Sequence, residues 1–481
     1  MSSQNKKEHL MAQGTLHLIF AHLLFFGSGY LIHFGLGRLF GPSDYGRFGI
    51  ILALLSLIEI FVNTGLPQTI SKFIAEKGDS VGVIINAGLK LQIVFSFILF
   101  SIYFLSAPLI AQLLGDQNLV NYIRLSAVDI PLFAVFVFFT KGVLSGLRNF
   151  RQQTRLLAIY SSIKVVAVFI LVLLGYGLYG AITGYILASG LGLLFSKPQY
   201  KTGLIQKRYG YYKIIKFSVP IIVLSIALTA LMSLDLFFVQ AIMGDITQTG
   251  YYTAASIIAK LPYYIFLALA VTLLPSISYS ISRKDTGQTR NYIKHSMRYM
   301  LMLTMPLAFL ISGTSDNLLT LVYSAEYISG GSSLSILIFG LTILSFFLIL
   351  STVITASGKP LVAMMFSLML IPINVFLNMV LIPVYDLEGA AGATTITAFI
   401  GLIIVSIYVY SKYHVLVAPR SFINIMVASV FIYGGTLFFS FSGPLLVIWY
   451  LLMFFAYGLI LIGLREITDE DIILIKRSLL R

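Results

Sequence analysis

The 481-residue chain has no cysteine, a single tryptophan and few charges, only 10% of its residues. Without cysteine, disulfides, thiolate catalysis and cysteine metal sites are excluded. There is no phosphate-binding glycine loop, no nucleophile triad and no metal-ligand cluster, so neither catalysis nor a bound cofactor is expected, and no nucleotide hydrolysis should drive the protein. Acidic residues are also scarce, 18 against 32 lysines and arginines, giving a net charge of +14.

Apolar residues make up 58% of the chain. Stretches near the length needed to cross about 30 Å of hydrocarbon recur throughout. Fourteen spans are expected, beginning near Gly14, Gly46, Ile85, Tyr122, Leu156, Leu178, Val219, Thr253, Tyr299, Ser333, Leu361, Glu388, Phe422 and Pro444. The first apolar segment is too long for a signal-peptide core and has no obvious cleavage site, so it is expected to remain in the mature protein.

Fourteen spans place both termini on one side, and the positive-inside rule makes that side cytoplasmic. Of the 32 cationic residues, Arg38, Arg47 and Arg124 fall at the opposite boundary and Lys141, Lys164 and Lys260 inside spans, which leaves 26 at cytoplasmic positions. The external connections carry Asp44, Asp116, Asp245, Glu326, Asp386 and Glu388. One missed span in the middle would destroy this separation. The positive charge is therefore a topology signal rather than a nucleic-acid footprint, and the basic loops at 197–216 and 283–298 should favour anionic lipid head groups.

The chain also repeats itself. Leu39-Phe-Gly-Pro-Ser-Asp-Tyr-Gly-Arg-Phe has a counterpart in Ile242-Met-Gly-Asp-Ile-Thr-Gln-Thr-Gly-Tyr-Tyr, with Gly41 and Gly244 offset by 203 and Gly46 and Gly250 by 204. Ser145-Gly-Leu-Arg pairs with Ser357-Gly-Lys-Pro, and Leu178-Tyr-Gly-Ala-Ile-Thr-Gly with Leu387-Glu-Gly-Ala-Ala-Gly-Ala. Copies of six spans each share one topology and are parallel. The expected organisation is a cytoplasmic tail at 1–13, an N-lobe at 14–196, a basic linker at 197–218, a C-lobe at 219–410, two further spans at 411–464 and a tail at 465–481. Gly177, Gly180 and Gly184 recur at helical spacing and read as a packing face. Pro131, Pro262, Pro306 and Pro372 mark expected bending points. In the tail, Thr468-Asp-Glu-Asp471 reads as a capping box opening a short amphipathic helix, either on the inner leaflet or docked to a partner.

The segment Gly37-Arg-Leu-Phe-Gly-Pro-Ser-Asp-Tyr-Gly-Arg-Phe-Gly, followed by Asn63-Thr-Gly-Leu and Ser71-Lys-Phe-Ile-Ala-Glu, resembles the start of the polysaccharide or oligosaccharide flippases of the multidrug/oligosaccharidyl-lipid/polysaccharide exporter superfamily. The resemblance implies an all-α polytopic protein with two lobes around a central cavity. It implies carriage of an isoprenoid-diphosphate-linked oligosaccharide to the outer leaflet of the cell membrane by alternating access, with glycan-assembly machinery as a partner. The glycine turn itself is expected to be structural, with Asp44 capping the second span.

Ionisable residues inside spans cost about 2.5 to 3.5 kcal/mol at a helix centre and therefore mark candidate sites. Glu59, Asp129, Lys141, Lys164, Asp235 and Lys260 qualify. Lys260, beside Pro262, is a candidate diphosphate contact that could equally pair with Glu59, since the two occupy similar positions in the repeat. Asp235 could couple transport to protons or sodium, or be a buried acid neutralised by Arg38 or a hydroxyl. Asp129 lies close enough in sequence to Arg124 for a rim contact. Lys141 could snorkel to water, and Lys164 could extend a basic surface or form an ion pair. Arg38 and Arg124 could receive phosphates through bidentate hydrogen bonds or anchor the interface. His22 and His33 share a face of span one, as a proton relay or as packed hydrogen-bonding groups. A multidrug or cation antiporter is the nearest rival reading, and a glycan polymerase or ligase would need a larger external loop than any present.

Overall fold

The computed structural model describes residues 24–76, 81–196, 211–283, 285–439, 441–467 and 471. The segment before residue 24, including His22, and the expected helix after the capping box lie outside the described residues. The described residues are helical, with no strand. By compactness the chain divides into two units, Met1–Ser233 with Gly244–Thr249, and Leu234–Met243 with Gly250–Arg481.

The first unit contains α1 (24–39), α2 (Pro42–Glu76), α3 (Val81–Leu113), α4 (Leu119–Leu144), α5 (Phe150–Leu171), α6 (Gly177–Phe195) and α7 (Tyr211–Leu231). Its logic is clearest in α3. Gln92, Ser96, Leu99, Tyr103, Ala107 and Ala111, three or four residues apart, are buried, while Val94, Phe97, Ile98, Ile102, Leu105 and Leu109 are exposed. The small and polar residues of this helix face the protein together with Leu99 and Tyr103, while the outward face is mainly of large apolar residues, the pattern of a helix whose solvent is lipid. The core beneath joins Ile70, Ile84, Phe138 and Ile214, so α7, which follows the basic linker, packs with the first unit. The Thr69 and Ser218 hydroxyls hydrogen-bond at 2.8 Å. The division thus falls after α7, where the sequence had suggested a break at the linker.

In α2, Pro42 occupies the first turn after Gly41, and Asp44 does not cap it. Asp44 instead joins Arg47 at 3.1 Å, and Arg47 reaches Asp116 at 2.8 Å. The helix passes through a π-helical turn at Phe61–Gly65, and α4 through another at Phe138–Leu144. A π-turn leaves a backbone group short of its usual partner. Gln92 meets this need, donating through Nε2 to the carbonyls of Val62, at 2.9 Å, and Ala134, at 3.0 Å. One amide thereby ties α2, α3 and α4 together.

The second unit holds α8 (Leu234–Met243), α9 (Ile246–Ala259), whose first turn belongs to the first unit, α10 (Leu261–Ser282), α11 (Thr286–Gly313), α12 (Ser315–Val322), α13 (Gly331–Ala356), α14 (Pro360–Tyr413), α15 (Pro419–Phe438) and α16 (Leu445–Gly463). Of the four prolines, Pro262 stands at a break, just after Lys260, whereas Pro306 and Pro372 sit inside continuous helices and Pro131 in the first turns of a helical segment beginning at Asp129. The span built on α13 is 78% buried and that on α16 only 17%, so the last helix is peripheral within its unit.

Nine helices among the described residues are long and apolar enough to cross a membrane, or ten if the α7–α8 break lies within one span. Two are too long for one crossing. The 54 residues of α14 would measure about 80 Å if straight, against about 30 Å of hydrocarbon. Each long element reverses at a non-helical residue, Gly177 (φ 52°, ψ −136°) between α5 and α6, and Asp386 (φ 48°, ψ −129°) within α14. A Cβ at Gly180 would stand 2.9 Å from the Leu171 carbonyl carbon, and one at Gly389 would meet Leu381 in the same way. These are antiparallel helix pairs. Counting each as two spans, with α1, the α7–α8 pair and the α9–α10 pair, is compatible with fourteen.

Gly177 and Asp386 precede Leu178 and Leu387, the first residues of the repeated motif, so the duplication extends to an unusual backbone conformation. Gly180 and Gly184 are packing residues, as their spacing indicated: a Cβ at Gly184 would stand 2.6 Å from a methyl of Val168.

The second unit also binds the end of the chain. Buried Arg298 on α11 donates to Glu466 at 2.8 Å, to both carboxylate oxygens of Asp471 at 2.8 and 3.1 Å, and to the Glu466 carbonyl. Tyr299 and Asn424 add hydrogen bonds to Asp471 and Glu466.

Three variants test these features. Asp386→Gly should raise thermal stability by about 1 kcal/mol, because glycine adopts positive φ without Cβ strain, while Gly177→Ala should lower it. Arg298→Ala should cost about 3 to 5 kcal/mol by stranding two buried carboxylates. Unfolding in detergent measures all three, and limited proteolysis should show earlier cleavage of the C-terminal segment in the arginine variant.

Candidate functional site

In the first unit, the polar interior is built where the two π-turns meet. The turn in α2 carries Asn63 and the turn in α4 carries Lys141, and the Lys141 ammonium donates to Asn63 Oδ1 at 2.7 Å. The two helices pack closely here: a Cβ at Gly142 would stand in van der Waals contact with Pro67, 3.4 Å from its Cα. Lys141 is therefore turned toward a partner on α2 rather than snorkelling.

One turn before Asn63 on α2 stands Glu59, half-buried, with Asp129, Lys164 and Lys141 as its charged neighbours. It makes no contact ion pair with either lysine among the described residues. Lys164 on α5 is buried, 4% exposed, and its ammonium lies over the rings of Phe25 at 4.9 Å, Tyr185 at 5.3 Å and Tyr160 at 5.5 Å. Three ring faces from α1, α5 and α6 partly replace the water that a lysine loses on burial. Among the described residues no oxygen accepts from it.

Asp129 is 1% exposed and lies inside the unit beside Ser189, with Lys164 as a charged neighbour. Both its carboxylate oxygens lack a hydrogen-bond partner among the described residues. The rim contact with Arg124 is not formed. Arg124 is exposed and lies 5.3 Å from the centre of the Phe104 ring. Arg38 is likewise exposed, at the end of α1. His33 hydrogen-bonds the Tyr45 hydroxyl at 3.0 Å, the packed alternative of the histidine reading.

In the second unit, Asp235 opens α8 and is 3% exposed. It accepts from the Tyr252 hydroxyl at 2.6 Å, from Thr394 at 3.2 Å and from the Leu236 N–H at 2.9 Å. It is the buried acid held by hydroxyls. Nearby on α14 runs a second polar row, in which Asn378 donates to Asn374 Oδ1 at 3.0 Å and Asn374 to Thr397 at 3.4 Å. Lys260, half-buried just before α10, has Asp235 as its charged neighbour. Thus Glu59 and Lys260, linked by the repeat, each have charged neighbours within their own unit.

The sequence profile of the polysaccharide biosynthesis protein family matches residues 36–330, more than half of the chain. The chain belongs to this family. An uncharacterized membrane protein of Methanocaldococcus jannaschii is 23% identical over 81% of this chain and 95% of its own length. The probable low-salt glycan biosynthesis flippase Agl15 of Haloferax volcanii is 23% identical over 80% of this chain and 81% of its own. Among solved structures, the lipid II flippase MurJ in an inward closed conformation covers 98% of this chain and 100% of its own, at TM-score 0.76 and 16% identity. An inward-facing multidrug resistance transporter of the multidrug and toxin extrusion family covers 83% and 98%, at TM-score 0.68 and 15% identity. The fold is that of the exporter superfamily that the N-terminal motif resembled.

Asn63, Gln92, the aromatic cage and Tyr252 were not identified from sequence. Asn63 could have been suspected as an amide in an apolar stretch. The rings around Lys164 come from three helices and leave no local trace. Tyr252→Phe should cost about 1 to 3 kcal/mol by leaving a carboxylate oxygen of Asp235 with only the longer Thr394 bond, and Thr394→Val should cost less. Thermal unfolding of the two variants measures the difference.

Proposed function

We infer that the protein is a flippase that moves an isoprenoid-diphosphate-linked oligosaccharide from the cytoplasmic to the outer leaflet of the cell membrane. Membership of the polysaccharide biosynthesis family carries this reading, and the names of Agl15 and MurJ agree with it. The protein's task on this reading is movement rather than bond making, so its residues must attract a diphosphate and then release it. Cations buried inside spans suit that task because their field is weakly screened.

Lys141 and Lys164 would supply this charge in the first unit and Lys260 in the second, with Arg38 and Arg124 meeting phosphates or lipid head groups at the exposed helix ends. Asp235 would be the ion-coupling group, its hydroxyl partners holding the carboxylate in place while a proton or cation comes and goes. Alternating access driven by an ion gradient would then complete the cycle. The likeness to a multidrug transporter supports an antiporter as the second reading.

The deciding experiment follows lipid-linked oligosaccharide across the bilayer of vesicles containing the purified protein, with an assay of drug efflux beside it. Glycan movement without efflux is expected, and efflux alone would reverse the order of the two readings. Lys260→Ala should abolish movement while the protein stays folded, and normal movement would remove Lys260 from the diphosphate site. Asp235→Asn should abolish dependence on the ion gradient. Persistence of that dependence would end the coupling assignment.

A further inference from the structure

Glu59 and Asp129, the two acids in the interior of the first unit, have its buried lysines as charged neighbours, yet among the described residues they form no contact pair with them. Glu59 and Asp129 are charged neighbours of Lys164, and Glu59 is also one of Lys141. Lys141 has its neutral partner Asn63, and Lys164 its rings. Each lysine is thus held in place by uncharged groups. Among the described residues the carboxylate of Glu59 acts on the two lysines through its field rather than through a contact pair. It stands one helical turn from Asn63 and is half-buried, as are Lys141 and Asn63, while Lys164 is buried.

This arrangement differs from a structural ion pair, in which acid and base meet directly and share hydrogen bonds. Lysines already positioned by neutral partners need no carboxylate for their geometry. The effect of a nearby negative charge is to weaken their attraction for any other anion, by an amount that is large where screening is poor.

We propose that Glu59 is a built-in counter-anion that competes with a diphosphate for the Lys141–Lys164 pair and sets how tightly that anion is held. The proposal rests on the transport reading above. Lys141 is the contact group, Asn63 its positioning residue, and Lys164 the fixed charge behind it. Glu59 keeps the site from becoming a trap: the anion is attracted by two cations, but its hold is loosened by a carboxylate that reclaims their field as it leaves.

The test uses the full chain in lipid nanodiscs and inorganic pyrophosphate as the probe, with binding followed by calorimetry. Glu59→Gln and Glu59→Ala should both tighten pyrophosphate binding about tenfold. Glu59→Asp should remain near the parent value, and Lys141→Ala should weaken binding. Farnesyl diphosphate should displace the probe, and a short-chain phosphatidylglycerol should not. In vesicles, Glu59→Gln should lower both KM and kcat, the signature of cargo held too well. Unchanged or weaker pyrophosphate binding in the Gln and Ala variants would overturn the proposal. Equal displacement by phosphatidylglycerol would overturn the assignment to diphosphate. Failure of the parent protein to move lipid-linked glycan would instead count against the flippase reading and leave the binding comparison to be judged by itself.

Discussion

Hydrocarbon offers no hydrogen-bond partner, and this constraint governs nearly every polar residue described above. A helix in such a solvent must satisfy its own backbone, and any departure from regular α geometry needs a side chain to meet the groups it frees. Gln92 does this for Val62 at the π-turn of α2 and holds α4 at the same time. Without that amide, the turn that presents Asn63 to Lys141 would leave a carbonyl unmet in the interior. The same constraint explains the surface of α3, where large apolar side chains point outward.

The two units answer the cost of buried charge differently. In the second, Asp235 is enclosed by two hydroxyls and a backbone N–H, a fully bonded acid. In the first, lysines are held by an amide and aromatic rings, and among the described residues both carboxylate oxygens of Asp129 are without a hydrogen-bond partner. A bonded acid is fixed in place.

Much of the architecture was legible in the sequence because membrane helices are read from length and composition, and the repeat aligned the halves. The apolar runs located most helices, and Gly180 and Gly184 declared a packing face by spacing alone. The candidate charges were found for a similar reason, since an ionisable residue in an apolar run stands out. Their partners were not. The Phe25, Tyr160 and Tyr185 cage assembles from separate helices, and aromatic residues are common throughout the chain. Asp44 was read as a cap from its local position, but a cation one turn away, itself held by Asp116, captured it. Asp129 was placed with Arg124 by proximity in sequence, whereas its helix turns the carboxylate to the opposite environment.

The matched reversals at Gly177 and Asp386 have a consequence for how such a chain diverges after duplication. Both corners use the same region of backbone space, though only one uses the residue that occupies it without strain. What the copies share there is a shape of the main chain, maintained by the helices that pack on either side, rather than an amino acid. A side chain other than glycine can therefore stand at such a corner, at a cost in strain that the surrounding helices must offset.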